Sequence, residues 1–180
     1  LGRPRIRTTA AAALALCLVA APVAHGQPVG LAQSARSAEC MALARGDPDT
    51  GHKAAQTWRT EGGGIAARHC MAMALLGLGR YAEAARMLRT LADKAAAGGA
   101  EFRLQLLSQS ANAWLIAGKP MRAYEVQTEA LKARPNDVEL LIDRSISLAS
   151  TAKFWPAIDD LNRVLDIDPE RVDALIFRAN

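Results

Sequence analysis

Apolar residues fall three and four apart along much of this chain, and the segments that carry the spacing come in pairs. Over residues 154–166 the apolar positions are Ala157, Ile158, Leu161, Val164 and Leu165, one face of a helix. The same reading predicts helices over 34–45, 48–60, 65–78, 101–117, 120–133 and 138–151, and one carrying Ala84, Ala85, Leu88 and Leu91. In the second of these, Ala54, Ala55 and Trp58 face inward; in 65–78, Met71, Ala72 and Leu75 do. In 34–45 the apolar positions are Ala35, Ala38, Met41, Ala42 and Ala44. Turn chemistry separates the segments. Asp47 is placed to cap a helix that starts at Pro48, and Gly62, Gly63 and Gly64 stop that helix. Gly79 with Arg80, and Gly118 with Lys119, divide later pairs. No segment alternates apolar and polar residues with β-branched side chains, so the expected class is all-α.

The pairs recur with a fixed period. Pro135 and Pro169 stand 34 residues apart, and the residues before each correspond position by position. Ala111, Trp114, Ala123 and Ala130 before the first match Ser145, Leu148, Ala157 and Val164 before the second. The helix alanines Ala84 and Ala123 are 39 residues apart, which places a five-residue insertion in the Ala- and Gly-rich stretch 94–100. A period of about this length with small residues at fixed places marks a stacked helical array.

The unit resembles the tetratricopeptide repeat, whose pattern is Trp-x2-Leu-Gly-x2-Tyr, then Ala-x3-Phe, then Pro. Leu107, Ser110, Ala111, Trp114, Ala123 and Pro135 occupy those places in one copy. Leu141, Arg144, Ser145, Leu148, Ala157, Leu161 and Pro169 occupy them in the next, and Met71, Ala72, Leu75, Ala84 and Leu88 in an earlier one. The departures are Gln127 at the Phe place, Arg144 at the Leu place, and a missing proline near Ala96. The resemblance covers residues 65–171 well and 34–61 loosely. It implies a right-handed superhelical solenoid of antiparallel helix pairs with a concave inner wall, and a non-catalytic role in binding a protein or peptide. Small residues recur where two helices of a pair must approach, because interiors pack at crystal-like density.

In this family the first helix of each pair lines the concave wall. The matching positions are Ala66, His69, Cys70 and Met73, then Gln105, Ser108, Gln109 and Asn112, then Glu139, Ile142, Asp143 and Ile146. The last two sets are the candidate partner-binding residues. Some members grip a partner's terminal carboxylate with basic residues here. Glu139 and Asp143 would repel one, so the expected partner surface is read by amides, apolar contacts and basic groups.

The ends and the charge refine this picture. Arg3, Arg5 and Arg7 precede an apolar run over 10–21 and the small residues Ala24 and Gly26, the pattern of a secretory signal peptide cut before Gln27. The run is shorter than the ~20 residues a membrane-spanning helix needs. Cys17 lies in this run, with Leu16 where a lipid-anchor motif has a small residue, and reads as apolar filling. The expected organisation is a signal over 1–26, a linker over 27–33, a divergent helix pair over 34–64, and an array over 65–180 of about three repeats and a cut-off helix. Leu175 and Phe177 lie in that last helix, and the apolar stripe there would meet more repeats, another subunit or a further domain. The alternative function is thus a repeat module of a larger protein whose enzymatic or other domain lies beyond Asn180. The expected location is the periplasm or outside the cell.

Of the 22 Lys and Arg residues three lie in the first 26, and none of the 18 Asp and Glu residues do, so the remainder carries a formal +1. Without a basic run, and with eight aromatic residues in all, nucleic acid is not the expected partner. Cys40 and Cys70 lie in the first helices of successive pairs, neighbours in a stacked array. Two readings stand side by side: a disulfide clamping the start of the array, or two buried thiols used as small apolar residues. His52, His69, Cys40 and Cys70 match no zinc-ligand spacing, and adjacent His69 and Cys70 point about 100° apart on a helix, unlike a nucleophile with its base. No phosphate-loop motif follows the triple glycine. No metal, cofactor or catalytic residue is expected.

Overall fold

The computed structural model describes residues 29–95 and 99–179, with the side chains of 29–32 left aside; the signal reading over 1–26, and Cys17 with it, lies outside them. Nine helices and no strand occur among the described residues: α1 Val29–Gly46, α2 Pro48–Thr60, α3 Gly64–Gly77, α4 Tyr81–Lys94, α5 Ala100–Ile116, α6 Pro120–Ala133, α7 Val138–Ala149, α8 Phe154–Ile167 and α9 Val172–Ala179. Each helix packs on its chain neighbours, and α1 also reaches α3 and α5 reaches α7. The result is an all-α solenoid of helix pairs.

One boundary moves. The linker expected through Gln33 is helical from Val29. Within α1, Cys40 and Ala44 are buried whereas Ala35, Ala38 and Ala42 are exposed. Alanine has the highest helix propensity, so an Ala-rich segment adds turns to a helix without needing burial.

Local chemistry sets the helix ends. Asp47 caps α2, accepting from the Thr50 backbone N–H at 3.2 Å and from its hydroxyl at 2.6 Å, with Pro48 in the first turn. These bonds hold the Asp47 carboxyl below its ordinary range. The turn inside the later pairs is built three times alike. The N–H of Arg80 donates to Leu75 O at 2.9 Å, that of Lys119 to Trp114 O at 2.9 Å, and that of Lys153 to Leu148 O at 3.0 Å. The residue before each donor is left-handed: Gly79 at φ 72°, Gly118 at 67° and Ala152 at 58°. Only the third carries a Cβ into a conformation that disfavours one.

Small residues do the work the periodicity assigned them. Ala72, Ala111 and Ser145 on the first helices, and Ala84, Ala123 and Ala157 on the second, are all buried. In the divergent first pair glycine takes over this role. A Cβ on Gly51 would lie 2.6 Å from the Ala44 backbone, and one on Gly63 would lie 2.7 Å from the Trp58 ring. The core falls into two clusters. One joins α1, α2 and α3 around Ala55, Trp58 and Met71; the other runs from α3 to α9 around Leu88, Leu107, Leu141 and Leu161. Cys40 of α1 and Cys70 of α3 form a disulfide in the first cluster, with Cα atoms 6.0 Å apart and a separation of 30 in sequence. On the chain-entropy account, closing such a loop contributes roughly 3–4 kcal/mol.

Two of the three departures from the repeat pattern, Gln127 and Arg144, are compensated locally. Gln127 is wholly buried and accepts a 2.7 Å bond from the Ser147 hydroxyl, while its Nε2 has no partner among the described residues. Arg144 forms a two-pronged pair with buried Asp160 at 2.7 and 2.5 Å, tying α7 to α8. That pairing raises the Arg144 pKa, and it meets the desolvation cost of the carboxylate with two directed bonds.

Two substitutions test this packing. Ala123→Leu overfills the closest approach of α5 and α6 and is expected to cost about 1–3 kcal/mol in denaturant unfolding. Ala152→Gly relieves the left-handed alanine and is expected to stabilise by about 1 kcal/mol, read as a raised melting temperature. An unchanged midpoint in either case removes the corresponding placement.

Candidate functional site

The candidate face lies on alternate helices, α3, α5 and α7, where residues three, four and seven apart share one side. On α5, Gln105 and Asn112 are exposed and Ser108 is half-buried, and none of these side chains has a hydrogen-bond partner among the described residues. Gln109 is otherwise engaged. Its Oε1 accepts from His69 Nε2 at 2.8 Å, across from α5 to α3. Phe102 of α5 stands edge-on to the same imidazole, with ring centroids 5.6 Å apart. Burial lowers the His69 pKa, and the Gln109 bond opposes this in part. Of the earlier wall positions, His69 and Cys70 are buried, and only Ala66 and Met73 are half-exposed. The wall therefore loses the first of these pairs to the core and the disulfide.

On α7 the four candidates separate. Ile142 is 4% exposed and belongs to the core, so it is withdrawn from the binding face. It packs with Leu141 in the cluster that runs from α3 to α9, while Glu139 one turn earlier stays exposed. Ile146 is half-buried, at the edge of an apolar hollow of about 450 Å³ lined by Phe154, Ile158, Leu161 and Phe177. Glu139 is exposed and receives Arg171 at 2.6 Å from the loop before α9. Arg171 also pairs with Asp173 at 2.7 Å, and the two carboxylates together raise its pKa. Sequence reasoning missed Arg171; its place two residues past Pro169, facing a wall carboxylate one repeat back, is the signal that could have found it.

Asp143 is the unbalanced group. It is half-buried and has no ion-pair partner among the described residues. Burial raises its pKa, and the charges of Glu139 and Asp137 raise it further. A carboxyl so placed binds its proton more tightly in the folded than in the unfolded chain. Stability therefore falls as pH rises from the ordinary 3.8 through the elevated value, and ionised Asp143 is a cost at neutral pH.

The chemistry of the remaining candidates is narrow. With Cys40 and Cys70 bonded to each other, neither thiol is a nucleophile or metal ligand. No cluster of three or more His, Cys, Asp or Glu side chains suited to a metal occurs among the described residues. No helix among them is long and apolar enough to cross a membrane. Asp143→Asn is expected to raise the melting temperature at neutral pH and to leave it unchanged below pH 3.8; a drop at neutral pH would show that Asp143 has a stabilising cation.

No protein-family model matches the sequence, and no match is found among curated proteins. Solved structures do match. A tetratricopeptide repeat protein from Parabacteroides merdae superposes with a TM-score of 0.69 at 15% identity, over 83% of this chain and 59% of that one. This chain thus spans less than two thirds of that protein. MamA from Desulfovibrio magneticus RS-1 superposes with a TM-score of 0.62 at 19% identity, over 80% of this chain and 78% of that one. MamA AMB-1 gives 0.61 at 13% identity, over 83% and 86%. With the 34-residue period, the recurring small residues and these neighbours in agreement, the chain has the fold of the tetratricopeptide repeat proteins.

Proposed function

We propose that this protein is a non-catalytic scaffold of the bacterial cell envelope that holds a peptide or protein segment on the wall made by α5 and α7. The observation that carries the reading is Asp143, a half-buried carboxylate without a counter-ion beside two further acids and three unpartnered polar side chains, Gln105, Ser108 and Asn112. A partner segment bearing Lys or Arg would supply the missing charge, and its backbone would meet the amides. A terminal carboxylate would meet repulsion. Support for the envelope comes from two directions. Residues 1–26 have the order of a secretory signal, and a disulfide persists in an oxidising compartment. The fold itself favours holding over catalysis, since stacked repeats offer an extended surface for a partner.

A pull-down from an envelope extract tests the reading, with the wild-type chain compared against a Gln105→Ala, Asn112→Ala, Asp143→Asn variant. The variant is expected to lose a partner that the wild type retains, and equal recovery of every partner by both would count against the wall. Gln109 is left intact, because removing it would strip the His69 bond and confuse packing with binding.

A further inference from the structure

A second surface lies around α4, on residues other than those of the wall. Two hollows, of about 440 and 560 Å³, flank α4 and share Arg86 and Thr90. The first is lined by Arg68 of α3 and by Met87, Leu91 and Lys94 of α4; the second by Trp114 of α5 and by Arg122 and Val126 of α6. Its floor departs from the repeat. At the place where Leu75 and Leu148 are buried, Trp114 is half-buried and turns its ring to Arg86, whose guanidinium carbon sits 6.0 Å from the ring centroid.

The charges are out of balance in one direction. Each of the three carboxylates lining the hollows is already held by arginine: Glu83 by Arg80, Glu125 by Arg122, and Glu129 by both Arg89 and Arg103. Arg68, Arg86 and Lys94 have no carboxylate within ion-pair distance among the described residues. The Arg89, Arg103 and Glu129 cluster ties α4, α5 and α6 together, so the bed beneath the free cations is held in place.

We propose that this groove across α4 docks an acidic peptide segment of a partner protein, with side-chain carboxylates on Arg86, Lys94 and Arg68 and an apolar side chain against Trp114. Charge complementarity selects the occupant. Discrete carboxylates separated by apolar residues can reach the free cations while leaving Glu83, Glu125 and Glu129 to their own arginines. A nucleic-acid strand, with a phosphate at every step, would pass close to those three acids. Tryptophan and arginine are also the side chains that most often dominate the energetics of a protein interface.

Fluorescence anisotropy tests this with the intact, oxidised chain and a short fluorescein-labelled peptide of alternating glutamate and leucine. The peptide is expected to bind at low salt, more weakly as salt rises, and to lose about tenfold in affinity with Arg86→Glu and again with Lys94→Glu. Both side chains are exposed, so the variants are expected to melt with the wild type, which separates lost docking from lost folding. Asn112→Ala with Asp143→Asn is expected to leave binding unchanged, which keeps this groove distinct from the α5–α7 wall. No binding by the wild type, equal binding by the charge-reversed variants, or equal binding of a lysine–leucine peptide would overturn the proposal. So would an oligothymidylate that binds more tightly than the peptide and is lost in the same variants.

Discussion

The whole array depends on how near two helix axes can come. Ala111 and Ala123, and Ser145 and Ala157, are small and buried on the paired helices, and larger side chains on either side close the remaining space. Each pair covers part of its apolar stripe internally and the rest against the next pair. No single pair is self-sufficient, and stability is a sum over neighbouring interfaces. Glycine extends the same logic to the divergent first pair, where Gly51 and Gly63 stand against Ala44 and Trp58.

Much of this could be read from residue order alone. Helix boundaries followed from Asp47 with Pro48, from Gly79 and Gly118, and from the three- and four-residue spacing, because these signals are local and steric. The start of α1 could not be read, since Gln27 to Gln33 carry no apolar period, and an alanine-rich helix half out in solvent needs none. The wall was legible only as a row of positions. Register on a helix says which residues share a side, but whether Ile142 is buried, or Gln109 bonded to His69, depends on what the neighbouring repeats present. Gln127 and Arg144 looked like flaws in the pattern. They are matched by Ser147 and Asp160, partners 20 and 16 residues away whose relation no repeat template encodes.

Two surfaces of the array carry opposite charge imbalances. On the α5–α7 wall an acid is left over in Asp143; around α4 the surplus is basic, in Arg68 of α3 and in Arg86 and Lys94 of α4. A chain whose part beyond residue 26 carries a formal +1 can thus present two different electrostatic faces, because ion pairs such as Arg171 with Glu139 and Arg89 with Glu129 cancel charge unevenly between them. Net charge alone describes neither face.

The covalent link from Cys40 to Cys70 has a topological effect beyond stability. It closes a ring that contains all of α2 and fastens α1 to α3. Repeat arrays are prone to trade terminal elements between molecules by opening a hinge, which gives swapped dimers. Here α1 cannot swing out to a second copy while the ring is shut, so α1 is committed to the α3 of its own chain.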